Sequence, residues 1–418
     1  MSARTATLSD VVALLKPGMS VFVPGMSGES QAFFEALQSD PEKAAGVRFL
    51  GVHFPEINRN DYLGLHPQAR QRAYFMLPQV RSAALEGRAE LMPLDYLGAL
   101  RDLRQQPVDL AIAQVSPPDA DGNMSLGLNY DFLPAVWHNA RIKVAHINPG
   151  LSRTRGSFSI KAAECDFICE AESNVITYDG GEPNQELTDI AKGIAGIMRD
   201  GDTLQVGIGK MQVAIMRSLA NHRRLRIYSG MVTEAALPLI DSGVIAGEGA
   251  IEAGVALGNE ELYRRVGEDR TFYFRPVGET HDIRRVAAIP NFVSVNAAIE
   301  IDLFGQVNCD SIDGKLLAGV GGMPAFVQGA QLSEGGRAAF CLPATTAKGK
   351  VSRIVSRLGL GSFVGSPRHA ADIVVTEFGV AELRGLSLHA RAEKLIGLAA
   401  PTFREELTAQ WHALRSRL

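Results

Sequence analysis

Cysteine is scarce in this chain. Four residues, Cys165, Cys169, Cys309 and Cys341, are too few to staple 418 residues, so a secreted disulfide framework is set aside. Cys165 and Cys169, four apart, would make a metal pair on one helix face. No second Cys or His pair stands near them, and the nine His show no HxH or HxxxH spacing, so no metal is expected. Tryptophan occurs only at 137 and 411, which leaves little for the aromatic platforms of sugar sites and weakens a glycosidase reading of any carboxylate pair. An excess of positive charge is also missing. The net charge is -4, and no Lys/Arg run interleaves with aromatics, so no nucleic acid partner is expected. No apolar run reaches membrane-spanning length. The start, "MSARTATLSDVVALLKPGMS", lacks the apolar core of a signal peptide. The expectation is a soluble cytoplasmic protein with no membrane partner.

What is present is alternation. Apolar runs "VFV" (21–23), "FLGVHF" (49–54), "VDLAIAQV" (108–115) and "RIKVAHIN" (141–148) are separated by helical patterns such as "ESQAFFEALQS" and "LDYLGALRDLR". Unbroken apolar strands flanked by helices predict a mostly parallel, buried sheet. The polar stretch "TYDGGEPNQE" (177–186) reads as a linker. Beyond it, "DGDTLQVGIGKMQVAIMRSLANH" repeats the layout of "PGMSVFVPGMSGESQAFFEALQS": strand, glycine loop, helix. The length suits more than one core. The fold class expected is α/β, with two related open α/β domains at 1–180 and 186–418. Later, "FVSVNAAIEIDLFGQVNCDSIDGK" predicts a hairpin turning at Phe304-Gly305, and "AAFCLP" (338–343) and "ADIVVTEFGV" (371–380) predict further buried strands.

Chemistry gathers in a few stretches. "LRIYSGMVTEAALPLIDSGVI" (225–245) reads as a strand, a turn and a helix over 233–241, with Glu234 on the lip. Two readings stand: Thr233 and Glu234 serve the helix N-terminus, or Glu234 is a base or nucleophile where α/β sheets bind ligands. "VGIGK" (206–210) puts two glycines between strand and helix, suited to close approach of a phosphate or pantetheine chain or to a tight turn. It is neither GxGxxG nor a Walker loop. "LAGVGGMPAF" (317–326) offers consecutive N–H groups to an oxyanion, or is a flexible bend. "LPATTAKGKVSRIVSRL" (342–358) carries Lys348, Lys350, Arg353 and Arg357, suited to phosphate or merely solvated. In "VVTEFGVAELRG" (374–385), Glu377 ends an apolar strand as Glu234 does.

Taken in order, "QVSPPDADGNMSLG" (114–127), "NPGLSRTRG" (148–156), "DGDTLQVGIG" (201–209), "VTEAALPLIDSG" (232–243), "NAAIEIDLFGQVNCDSI" (296–312), "GVGGMPAFVQGA" (319–330) and "TEFGVAELRGLSL" (376–388) resemble the acetyl-CoA hydrolase/transferase family over nearly the whole chain. That family includes 4-hydroxybutyrate, succinyl-CoA:acetate and itaconate CoA-transferases. The resemblance implies two CoA-transferase-like α/β domains with the active site between them, and Glu234 as a nucleophile that passes through a glutamyl-CoA thioester. It implies CoA contacts at Gly207, Ile208, Gly209, Lys210, Met211, Ala318 and Lys348. Gly322 is implied as both a CoA contact and an oxyanion donor, and Glu377 as a second active-site carboxylate. It implies an acyl-CoA and a small carboxylic acid as substrates, with 4-hydroxybutyrate, itaconate, succinate and acetate as candidate acids. No cofactor is bound tightly, coenzyme A enters as a thioester substrate, and the chain forms a homodimer. An acyl-CoA hydrolase using the same Glu is the alternative.

Three departures from the family pattern stand out. Met323-Pro324-Ala325 replaces a polar, acidic stretch and is expected to line the acyl side. His281 or Thr280 stands near the place of an Asn found in some relatives. The helix after "GIG" begins "KMQ" without the usual proline.

Overall fold

A strand buried on both faces calls for a nearly continuous apolar run, and Leu110–Val115, apolar but for Gln114, supplies it: all six residues are buried. In the computed structural model this strand lies near the middle of an eight-stranded sheet. The structure describes residues 3–245, 247–346 and 348–417. Its contacts divide the chain into two units. The first holds Met1–Asp179, Gly230–Glu234 and Gly247–Thr280, and the second Gly180–Ser229, Ala235–Ala246 and His281–Leu418.

The first unit's sheet runs, edge to edge, Arg4–Thr5, Phe167–Glu170, Ile142–Ile147, Leu110–Val115, Ser20–Phe22, Arg48–Leu50, Arg70–Ala73 and Ala89–Leu91. Every neighbouring pair is parallel. Strand order reverses beside Ser20–Phe22, which leads into the helix Gln31–Ser39, capped by the Ser30 side chain on Phe33 N–H. Val21, Phe33, Leu37, Phe49, Leu110 and Val144 meet in its core.

In the second unit, the opening residues of Arg226–Val232 are followed across the sheet by Thr203–Gln205, Phe292–Ala297, Arg337–Cys341, Ile373–Thr376 and Gly379–Glu382. All pairs are parallel except the last. Thr203–Gln205 again sits where the order reverses and again leads through a glycine loop into a helix, Lys210–Ser218. The repeat in the sequence is thus a repeat in sheet position. Phe292, Phe326, Phe340, Leu395 and Trp411 lie in this core.

The predicted hairpin is Glu300–Asp302 against Val307–Asn308, antiparallel, with Gly305 at φ +90° in the turn. The stretch 371–380 holds one strand and the start of another, folded back after Glu377-Phe378. Cys165 and Cys169 do not share a helix face, because Cys169 lies in the strand Phe167–Glu170. Both thiols are buried, which pushes their pKa values up to about 12 and about 11.

The helix expected over 233–241 is shorter. Residues Glu234–Ala236 form a 3-10 turn, and the α-helix is Leu237–Asp241, with Ala236 rather than Thr233 at its N-cap. Pro238 has no N–H and fits only a first turn, so it sets where the α-helix begins.

The grouping of 186–418 also differs from a single stretch. Gly230–Glu234 and Gly247–Thr280 go with the first unit. The reason lies in backbone hydrogen bonds: Tyr130 N–H donates to Gly254 O, Ala256 N–H to Leu128 O, and Leu257 N–H to Val232 O.

Candidate active site

Glu234 follows the seven-residue strand Arg226–Val232 and is half-buried. Two tyrosines feel its charge. Tyr263 is pushed up to about 12, first by burial and further by the Glu234 carboxylate, against the opposing Gly258 hydrogen bond. Tyr178 is raised by burial first, then by Glu56, Glu234 and Asp179. Both phenols therefore stay protonated at neutral pH beside the carboxylate. Gly258 is buried and lies closer still: a Cβ there would come to 2.4 Å from Glu234 Oε2.

A cleft of about 410 Å³ opens in the same unit, walled by Gln31, Glu56, Arg59, Asn60, Val175 and Ile176 among others. That volume lies within the usual range for small-ligand sites. Ile176 O accepts a hydrogen bond from Tyr263 OH at 2.6 Å. Glu56, on the cleft wall, is one of the charges felt by Tyr178. The cleft and the surroundings of Glu234 thus share residues.

In the second unit, parallel strands put several loops on one carboxyl edge of the sheet. After Thr203–Gln205 come Gly207, Ile208 and Gly209, all half-buried, with Gly209 at φ +99° as the N-cap of Lys210–Ser218. That conformation favours glycine. The helix has no side-chain cap, so the loop meets bare N–H groups suited to an anion. Lys210 is exposed, whereas the Met211 side chain is buried, so Met211 offers the loop only its backbone.

After Arg337–Cys341 comes Ala344, whose N–H donates to Glu377 Oε2 at 2.9 Å. Glu377 ends the neighbouring strand Ile373–Thr376 and is half-buried. Glu186, in the first turn of the helix Gln185–Ile197, stands against it. Its carboxyl is raised, by burial first and then by the Glu377 charge, with Arg353 opposing. Lys348 is exposed at φ +58° on the turn joining Thr345–Thr346 to Val351–Ser352.

Ala318 and Gly322 bound a half-buried loop before the helix Met323–Leu332. Gly322 packs on His281: a Cβ there would lie 2.2 Å from Nε2. Met323-Pro324-Ala325, expected to line the acyl side, follow this loop directly. These residues are the first turn of that helix, with Met323 packed against the core and Ala325 only 2 % exposed. Gly258, Tyr178, Tyr263 and Glu186 were not singled out from the sequence, and Arg353 was read as a phosphate cation rather than as a neighbour of Glu186. Among the described residues, no group of three or more His, Cys, Asp or Glu is placed to hold a metal ion. No described helix is long and apolar enough to cross a membrane.

Comparison with known proteins gives the chain a family. The family model for the acetyl-CoA hydrolase/transferase N-terminal domain matches residues 2–178, and that for the C-terminal domain matches 258–411. A 4-hydroxybutyrate coenzyme A transferase of Clostridium kluyveri is 33% identical over 414 residues, covering 97% of this chain and 96% of that protein. The crystal structure of RipA from Yersinia pestis superimposes with a TM-score of 0.91 at 28% identity, covering 99% of this chain and 98% of that one. A 4-hydroxybutyrate CoA-transferase from Porphyromonas gingivalis gives a TM-score of 0.81 at 27% identity, covering 99% and 98%. With the two-unit α/β fold, these relatives define an enzyme of the CoA-transferase class. Within that class, the chain belongs to the acetyl-CoA hydrolase/transferase family.

Proposed function

We propose that the enzyme moves CoA between an acyl-CoA and a free carboxylic acid, with Glu234 as the nucleophile. A Glu234 oxygen attacks the thioester carbonyl. A C–O bond forms, the C–S bond breaks, and CoA thiolate departs from a mixed anhydride. The thiolate then attacks the glutamyl carbonyl, and the first acid leaves as its carboxylate. A second acid reverses both steps on the glutamyl-CoA thioester. Splitting one hard exchange into two reversible ones is the logic of covalent catalysis.

The observation that carries this reading is Glu234 itself: a half-buried carboxylate at a strand end, whose charge raises two tyrosines, in a unit with a ligand-sized cleft. The N–H groups after Gly207, Ile208 and Gly209, with Lys210 and Met211, support a role in holding CoA, to which Ala318 and Lys348 add. Gly322 N–H is the proposed oxyanion donor, and Glu377 positions the entering acid. The candidate acids are 4-hydroxybutyrate, itaconate, succinate and acetate. The similarity to the Clostridium kluyveri transferase makes 4-hydroxybutyrate the first to test.

Borohydride reduction in the presence of an acyl-CoA tests the reading. An adduct mapped by peptide mass to Glu234 is expected; an adduct on another residue overturns it. Water as the acceptor gives the acyl-CoA hydrolase reading, which the family description also covers. Thioester turnover that no free acid raises above background decides for the hydrolase.

A further inference from the structure

Gly258 is buried, and its φ lies outside the left-handed region. The backbone conformation does not itself call for glycine, so what a side chain would meet there is a matter of space. A Cβ at 258 would lie 2.4 Å from Glu234 Oε2, 2.9 Å from Leu262 Cδ2 and 3.3 Å from Glu234 N. The two closest atoms are the free ends of side chains, which move cheaply. One of them is the reacting oxygen.

The peptide around Gly258 is held on every side. Gly258 N–H donates to Tyr263 OH at 3.1 Å, and Tyr263 OH donates to Ile176 O at 2.6 Å. Tyr178 N–H donates to Gly258 O at 2.9 Å. Leu257 N–H donates to Val232 O at 3.0 Å, tying the segment to the strand that ends two residues before Glu234. The wall facing the carboxylate is therefore a fixed backbone surface rather than a mobile side chain.

We propose that Gly258 is a positioning residue for the transfer reaction: the space left by its missing side chain, held in place by Tyr263 and Tyr178, sets where the Glu234 carboxylate rests. The inference rests on Glu234 being the nucleophile. An added methyl group displaces the carboxylate by a distance on the scale of an ångström while leaving the fold intact. Misplacement of that size costs roughly a hundredfold in rate.

The test is Gly258→Ala. The expected result is a kcat about a hundredfold lower, with the KM for acyl-CoA and the thermal midpoint close to the parent's. Tyr263→Phe, which removes the hydroxyl between Gly258 N–H and Ile176 O, is expected to lower kcat less. Glu234→Asp shortens the nucleophile by one methylene and makes room for the methyl group. The double variant Gly258→Ala/Glu234→Asp is therefore expected to turn over faster than the product of the two single losses predicts.

An unchanged kcat in Gly258→Ala overturns the proposal. So does a loss of kcat that tracks a loss of stability and shows no rescue in the double variant. Borohydride trapping on the parent enzyme separates the two possible failures. An adduct at Glu234 together with an unchanged Gly258→Ala rate overturns only the positioning role. An adduct on another residue overturns the nucleophile, and this inference with it.

Discussion

The ring of His281 fills the space that a side chain on Gly322 would need: a Cβ there would lie 2.2 Å from Nε2 and 2.8 Å from Cδ2. Phe326 backs the ring, with 4.5 Å between centroids. Burial drives the imidazole pKa down to about 3. His281 is thus a neutral ring packed against the glycine loop, not a cation beside it.

Gly322→Ala must move that boxed ring. Overpacking of this kind costs about 1–3 kcal/mol, so the urea midpoint is expected to fall. Shrinking the neighbour with His281→Ala should make the double variant more stable than the sum of the two single losses. Strict additivity would show that the ring is not the obstacle. Gly258→Ala is expected to behave oppositely, since its closest neighbours are side-chain ends that can swing away.

A covalent enzyme–CoA intermediate requires the first acid to leave before the second binds. Double-reciprocal plots are expected to be parallel, and labelled acetate to exchange into acetyl-CoA with no second acid present. Glu234→Asp draws the carboxylate back and is expected to lose roughly a hundredfold in kcat. Intersecting lines without exchange would indicate a ternary complex instead.

Glu377→Gln keeps an acceptor for Ala344 N–H but removes a charge. Glu186, raised partly by that charge, is then expected to titrate lower, as read by carboxyl carbon NMR. Arg353→Ala removes the opposing cation and is expected to shift Glu186 further up. If Glu186 titrates identically in all three proteins, the pair is not coupled.

Asp131 is 5 % exposed, and its Oδ1 has no hydrogen-bond partner among the described residues. Burial raises its pKa to about 8, against about 4 in an unfolded chain. Between those values the folded protein holds a proton that the unfolded chain has released. Its contribution therefore makes stability fall as pH rises from about 4 to about 8, and level off above. Asp131→Asn keeps a neutral group of similar shape. It is expected to remove that slope and to raise the melting temperature at pH 8 more than at pH 5.

The sheets were largely legible because runs such as 110–115 and 142–147 are short, mostly apolar and separated by helical patterns. The loop at Gly207–Gly209 was legible because a positive φ calls for glycine, and the residue type records it. Gly258 left no such mark, since only the distance to Glu234 excludes a side chain there, and distance is not local. Leu257 reaches Val232, and Tyr130 reaches Gly254, so the membership of 247–280 was decided by partners far along the chain. The expectation that Ala325 lines the acyl side came from its departure from the family pattern, which says nothing of local structure. Pro324 in the first helical turn was the local sign that a helix begins there.

The outermost strand of the first unit, Arg4–Thr5, is hydrogen-bonded to Phe167–Ile168. On a ribosome the earliest segment of this sheet therefore waits until every other strand of the sheet has been made. Strands at the reversal point, such as Ser20–Phe22 with Arg48–Leu50, can pair after far fewer residues. Synthesis thus assembles this sheet from its middle and leaves one edge open until late. Parallel pairing over such separations is slow, so Arg4–Thr5 is the segment that a nascent chain leaves unpaired longest.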